Sequence, residues 1–148
     1  MSEVRHASVV WNGGLTDGSG MITYLSSGVV SRLPISWASR TSAHDGKTSP
    51  EELLAAAHAS CFSMALSARL AKNGTPPTQL DVRAEVTFDN ASGGWKVTAS
   101  KLIVSADVPG IDDPTFQGLA EDAKENCPIS QALKGNVEIS VSASLKAA

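Results

Sequence analysis

The chain has 148 residues, 12 Lys and Arg against 15 Asp and Glu, and a formal net charge of −3; at this length one folded domain buries roughly 68–70% of the unfolded surface without staples. The charges are scattered and form no basic block, which excludes nucleic acid as a partner. MSEVRHASVV lacks a charged leader followed by a long apolar run, and the greasy run 53–66 is too short and too interrupted by His58, Ser60 and Ser63 to span a bilayer. These features predict a single cytoplasmic domain over 1–148 with no membrane partner. Its two cysteines, 66 positions apart, form neither a CxxC motif nor a four-ligand zinc site, and in a reducing compartment they rest as thiols.

In chain order, ASVVW, GMITYLS and GVVSRLPISW read as short strands separated by Gly- and Ser-rich turns, followed by a loop over 39–48. A helix of about 23 residues starts at SPEEL, with Ser49 as N-cap, Pro50 at the first helical position and Glu52 reaching back to the Ser49 amide in a capping box. It stops at Asn73-Gly74, with Pro76 just beyond. Its apolar residues keep to no narrow stripe, which predicts enclosure on most sides. LDVRAEVTF then alternates Leu80, Val82, Ala84, Val86 and Phe88 as a half-buried strand. The next strand slips phase near Ser100, which predicts a bulge. A helix from Asp113-Pro114 to about Asn126, a short second helix after Cys127, and a strictly alternating strand NVEISVSASL complete the chain. The order predicts an α+β fold with mainly antiparallel sheets.

Two positions attract chemistry. Cys127 in ENCPISQAL precedes Pro128 and so sits at a helix N-cap, where the dipole favours thiolate. Cys61 in AAAHASCFSMAL lies within an apolar helix, over a floor of small residues, with His58 as the base one turn away. A cysteine in such a helix is ordinarily an inert small hydrophobe, and His58 reads as a satisfied histidine at a packing or subunit boundary.

SPEELLAAAHASCFSMALS, followed by VPGID at 108–112 and CPIS at 127–130, resembles the OsmC and organic hydroperoxide resistance family, the OsmC branch in particular. The resemblance implies an OsmC-like α+β fold around a long buried central helix, in an intertwined homodimer. It further implies a thiol-dependent peroxidase acting on organic hydroperoxides and, more weakly, hydrogen peroxide. Such an enzyme is expected to need no bound cofactor or metal and to be recycled by an external thiol such as a dihydrolipoyl group or another dithiol. Carried over residue by residue, Cys61 matches the peroxidatic cysteine, Cys127 the resolving one, and Glu51 the glutamate that holds an arginine. Arg40 fits that arginine, with Arg32 as the alternative; Arg69 is too far along the helix.

An ordinary thiol is about 3% ionised at pH 7, and lowering its pKa by ~3 units gains about 30-fold in thiolate while surrendering roughly 15- to 30-fold in nucleophilicity. The rate must therefore come from a donor aimed at the charge developing on the departing alkoxide, a role that suits the permanently charged fork of Arg40. Glu51 stands roughly 15 Å of helix rise from Cys61, so it orients and does not deprotonate. Two competing readings are a metal site built from Cys61, Cys127, His58 and His44, and a non-catalytic stress protein that binds a hydrophobic ligand on the same scaffold.

Overall fold

The computed structural model describes residues 1–147. The chain gathers into two compact units, one from Met1 to Leu53 and one from Leu54 onward.

In the first unit, β1 (Ala7–Asn12), β2 (Ser19–Leu25) and β3 (Leu33–Ile35) form an antiparallel sheet in that order. Gly20 is required within β2, because a Cβ there would stand 2.6 Å from the Trp11 ring and 2.9 Å from Ile35. The third strand is far shorter than the predicted segment over 28–37. Pro34 has no N–H for the ladder, and its carbonyl instead accepts from the Thr48 amide at 3.0 Å. The expected loop over 39–48 opens as a helical turn, α1 (Ala38–Thr41). Ser36 and Ser39 cap each other there: the Ser39 amide donates to Ser36 Oγ at 3.1 Å and the Ser36 amide to Ser39 Oγ at 3.2 Å. Ser39 Oγ also donates to the Thr48 carbonyl at 2.7 Å, closing the loop on itself.

The long helix α2 runs Pro50–Lys72, and the start and stop are those the caps predict. The Glu52 amide donates to Ser49 Oγ at 3.1 Å, as an N-cap requires. The Glu52 carboxylate does not reach the Ser49 amide; it accepts from Thr48 Oγ1 at 2.8 Å. At the other end Gly74 adopts φ +84° and the Thr75 amide donates to the Leu70 carbonyl. The helix exceeds the 53–66 run in length and would by length and composition reach across a bilayer. Its inner stripe is instead committed to a protein core.

That core belongs to the second unit. β4 (Gln79–Asn90), β5 (Trp95–Asp107) and β6 (Glu138–Leu145) lie in that order, β4 antiparallel and β6 parallel to β5. The parallel pair follows from the crossover through α3 (Asp113–Asn126) and α4 (Pro128–Leu133), which returns the chain to the starting end of β5. Leu102, Val104 and Ala106 from β5 meet Phe62, Leu66 and Leu70 from α2 and Phe116, Ala120 and Ala123 from α3 in one cluster. Each buried Leu or Phe contributes about 1.5–3 kcal/mol. The bulge falls at Thr98, since Thr87 faces Ala99 and Phe88 faces Val97. Beyond it Ser100 shares the buried face of Leu102, Val104 and Ala106.

Enclosure of α2 on most sides is not reached within one chain. Burial is complete along His58, Phe62, Leu66 and Leu70, one residue per turn, while Met64 stays 69% exposed.

Candidate active site

Two pairs of predicted site residues come together, one in each unit. In the first unit α1 presents Arg40 and the first turn of α2 presents Glu51. Arg40 Nη2 donates to Glu51 Oε1 at 2.6 Å, and Nε lies 3.2 Å from both carboxylate oxygens. The Glu51 side chain is 9% exposed and that of Arg40 28%, so the carboxylate is buried while the cation keeps an open side. The guanidinium also lies 5.6 Å over the Trp37 ring. Arg40 borders a cavity of about 220 Å3 lined mainly by apolar groups of Trp11, Leu15, Ile35, Trp37 and Pro50. Arg69 is engaged elsewhere, by Asp122 and the Ala65 carbonyl.

In the second unit, Cys61 on α2 and Cys127 at the start of α4 are both free thiols. Cys127 and the Ile129 backbone N–H both lie near enough to Cys61 to bear on its ionisation. Burial pushes the Cys61 thiol above its ordinary range; the Ile129 N–H pulls it down and Cys127 pushes it up again. Cys61 therefore rests as a thiol, and nothing around it within this unit favours the thiolate on balance.

Cys127 is fully buried and forms the N-cap expected of it. Its Sγ accepts from the Ser130 amide at 3.4 Å and lies 3.3 Å from Ser130 Oγ.

Residues 43–142 match the family described as OsmC-like protein. The chain belongs to the OsmC family. It is 42% identical over 129 residues to peroxiredoxin OsmC of Escherichia coli K12, covering 87% of this chain and 89% of that protein. It is 32% identical over 95 residues to an organic hydroperoxide resistance protein of Xanthomonas axonopodis pv. citri, covering 64% of this chain and 65% of that one. Among solved structures, OhrB of Bacillus subtilis superposes with a TM-score of 0.70 at 29% identity, over 95% of this chain and 98% of that one. The α+β architecture with its long central helix is thus the family's own.

The OsmC-family site contains partners that sequence reasoning missed. His58 is completely buried, with Nδ1 2.7 Å from Ser100 Oγ and Nε2 2.8 Å from Ser130 Oγ. Burial lowers its pKa below the ordinary value, so the ring is neutral at rest. The satisfied histidine is what the sequence predicts, but its partners are not. Ser100 reaches it only because the Thr98 bulge resets the strand, and Ser130 because Cys127 begins a helix. The signals were the phase slip and the third residue after Cys127. With both ring nitrogens occupied, His58 offers no lone pair to a metal, and among the described residues no group of three or more His, Cys, Asp or Glu is placed to hold one.

Proposed function

We propose that this OsmC-family protein is a two-cysteine peroxidase that reduces organic hydroperoxides and, more weakly, hydrogen peroxide. The observation that carries the reading is the proximity of two free thiols, half-buried Cys61 on α2 and buried Cys127 at the start of α4, close enough for Cys127 to bear on the ionisation of Cys61. The names of its relatives, a peroxiredoxin and an organic hydroperoxide resistance protein, point the same way.

The Cys61 sulfur, once deprotonated, attacks the terminal oxygen of the hydroperoxide. An S–O bond forms, the O–O bond breaks, and the departing alkoxide takes a proton to leave as alcohol. Arg40 is the donor assigned to that developing charge, and Glu51 holds the guanidinium in direction. Cys127 then attacks the Cys61 sulfenic acid, forming the disulfide and releasing water. The nearness of the two thiols in the reduced state supports this step. An external dithiol, of the dihydrolipoyl kind, reduces the disulfide, in keeping with a cytoplasmic setting that holds the thiols reduced.

The working form in this reading is a single OsmC-like domain over 1–148 paired as an intertwined homodimer. Its support is the apolar surface that one chain leaves bare: Met64 at 69% and Leu53 at 37% exposure on α2, and Val9 and Val10 above 50% on β1.

Thiol titration tests the chemistry. One equivalent of cumene hydroperoxide removes both thiols per chain, and peptide mapping finds the Cys61–Cys127 bridge; two thiols remaining after peroxide, or protection from peroxide retained in Cys61→Ser, refutes it.

A further inference from the structure

His58 occupies the first position of the buried stripe His58, Phe62, Leu66, Leu70. The other three positions are filled by plain hydrocarbon side chains, which pack without polar partners. An imidazole at that depth needs a partner at each nitrogen, and both partners here are hydroxyls. Ser100, on β5, holds the Nδ1 side of the ring. Ser130 stands between the ring and the resolving cysteine, touching His58 Nε2 at 2.8 Å and Cys127 Sγ at 3.3 Å with the same oxygen. An unbroken hydrogen-bonded path therefore leads from the Cys127 sulfur to a buried imidazole.

One assignment of hydrogens satisfies every group along it. The Cys127 thiol donates to Ser130 Oγ, Ser130 Oγ–H donates to Nε2, and Nδ1–H donates to Ser100 Oγ. The opposite assignment runs from the imidazole outward and leaves Ser130 donating to the sulfur, the arrangement a thiolate at Cys127 requires. The path is thus complete before and after one proton has moved.

Resting on the two-cysteine reading above, we infer that Ser130 and His58 form a proton relay serving Cys127 in disulfide formation, with His58 a positioning residue that acts through the Ser130 hydroxyl. As the Cys127 sulfur attacks the Cys61 sulfenic acid, its proton passes to Ser130 Oγ while the Ser130 proton passes to His58 Nε2. The electron pair of the Cys127 sulfur becomes the S–S bond, and the S–O bond breaks with its pair on the leaving hydroxide. The proton held by His58 returns through the Ser130 hydroxyl to neutralise that hydroxide, so the step releases one water and the imidazole returns neutral. No outside oxidant or reductant enters the step.

A neutral base is needed, and burial keeps His58 in that form. The groups facing it are the Ser100 hydroxyl from β5 and the Ser130 hydroxyl from α4, with the Cys127 and Cys61 thiols beyond; Lys124 and Glu125 of α3 line a small cavity that Ser130 also borders. A relay ending on a neutral imidazole makes disulfide formation nearly level with pH above the ring's own titration. Without it, the step waits on spontaneously formed thiolate and rises about tenfold per pH unit.

Reduced protein is mixed rapidly with one equivalent of cumene hydroperoxide between pH 5.5 and 8, and sulfenic acid, trapped by dimedone, is compared with disulfide. Wild type gives disulfide with little trapped sulfenic acid and a level profile. His58→Gln, whose amide bonds hydroxyls but does not accept a proton, slows disulfide formation roughly 100-fold, the lower end of acid–base catalysis, accumulates sulfenic acid and acquires the rising profile. Ser130→Ala does the same and Ser130→Thr restores the level profile, which separates the relay from any folding defect at His58. Disulfide formation at the wild-type rate and profile in Ser130→Ala overturns the relay while leaving the peroxidase intact. Wild type that forms no disulfide overturns the two-cysteine reading and the relay with it.

Discussion

The sharpest test of the arginine's role is a double-mutant cycle between Arg40 and Glu51. Three contacts join them, at 2.6, 3.2 and 3.2 Å. Glu51→Gln keeps the shape and one acceptor oxygen but removes the carboxylate charge, so the ion pair becomes a bond from the guanidinium to a neutral amide oxygen, toward the low end of the about 1.5–3 kcal/mol of bonds to charged groups. The Arg40 side chain is 28% exposed, and water compensates part of the loss, which places the stability cost near 1 kcal/mol. For a protein this size that lowers the melting temperature by about 2–4 °C. Arg40→Ala removes the donor itself and should lower kcat/KM for tert-butyl hydroperoxide by about 10²–10³-fold, the effect of deleting one directed donor to developing negative charge. Glu51→Gln, which leaves the donor but loosens its aim, should fall between, near tenfold.

The decisive quantity is the double variant. If Glu51 acts only by holding Arg40, then Arg40→Ala with Glu51→Gln matches Arg40→Ala alone, because there is no guanidinium left to aim. The assay is steady-state turnover with dihydrolipoamide as reductant, with melting temperature recorded in parallel. Arg40→Ala within about threefold of wild type refutes the donor argument. Multiplicative losses in the double variant refute the claim that Glu51 works through the arginine.

Two further outcomes are expected. The folded-state pKa of His58 is lowered, so below the ordinary histidine value near 6.5 the unfolded chain binds more protons and stability falls as pH drops, by at most about 1.4 kcal/mol per pH unit from this group; urea midpoints from pH 7 to 5 should fall less steeply in His58→Gln, and parallel curves would refute it. Met64 is 69% exposed on α2 in one chain; if that face carries the proposed homodimer, light scattering should report a dimer for wild type and a monomer for Met64→Glu, and an equal dimer mass for both would show that this face is not the interface.

Where the sequence was legible, local chemistry was decisive. Pro50 and Asn73-Gly74 mark the ends of α2 because each acts within one turn of the backbone it governs. The Cys127 N-cap was legible for the same reason. The α1 turn carrying Arg40 was not: its cap is a pair of serines, Ser36 and Ser39, in which each side chain serves the other's amide, and serines of that spacing are as common in loops. The parallel placement of β6 is a property of the crossover, which alternation of apolar residues does not report. Ser100 and Ser130 lie 42 and 72 positions from His58, and only the fold shows that they share one ring. The exposed faces of α2, Met64 at 69% among them, were not legible, because periodicity counts apolar residues without saying what covers them.

The raised Cys61 thiol looks unfavourable for a nucleophile, and arithmetic shows how little it matters. Each unit of upward shift removes tenfold of thiolate at neutral pH but returns about 2.5- to 3-fold in the reactivity of what remains, for a Brønsted slope of 0.4–0.5. The net loss is about three- to fourfold per unit. A donor directed at the leaving alkoxide is worth about 10²–10³-fold, so a guanidinium in the proposed role would offset the thiolate lost to burial. In the proposed mechanism Cys61 is protonated at rest, so reaction would depend on a substrate that brings both an electrophilic oxygen and a leaving alkoxide for a guanidinium to stabilise. A thiol-modifying reagent that offers no such leaving group should therefore discriminate poorly between wild type and Arg40→Ala, whereas an alkyl hydroperoxide should discriminate by two to three orders of magnitude. Iodoacetamide and tert-butyl hydroperoxide, compared on the same two proteins at pH 7, measure that contrast, and equal losses with both reagents would mean that Arg40 acts by ionising the thiol instead.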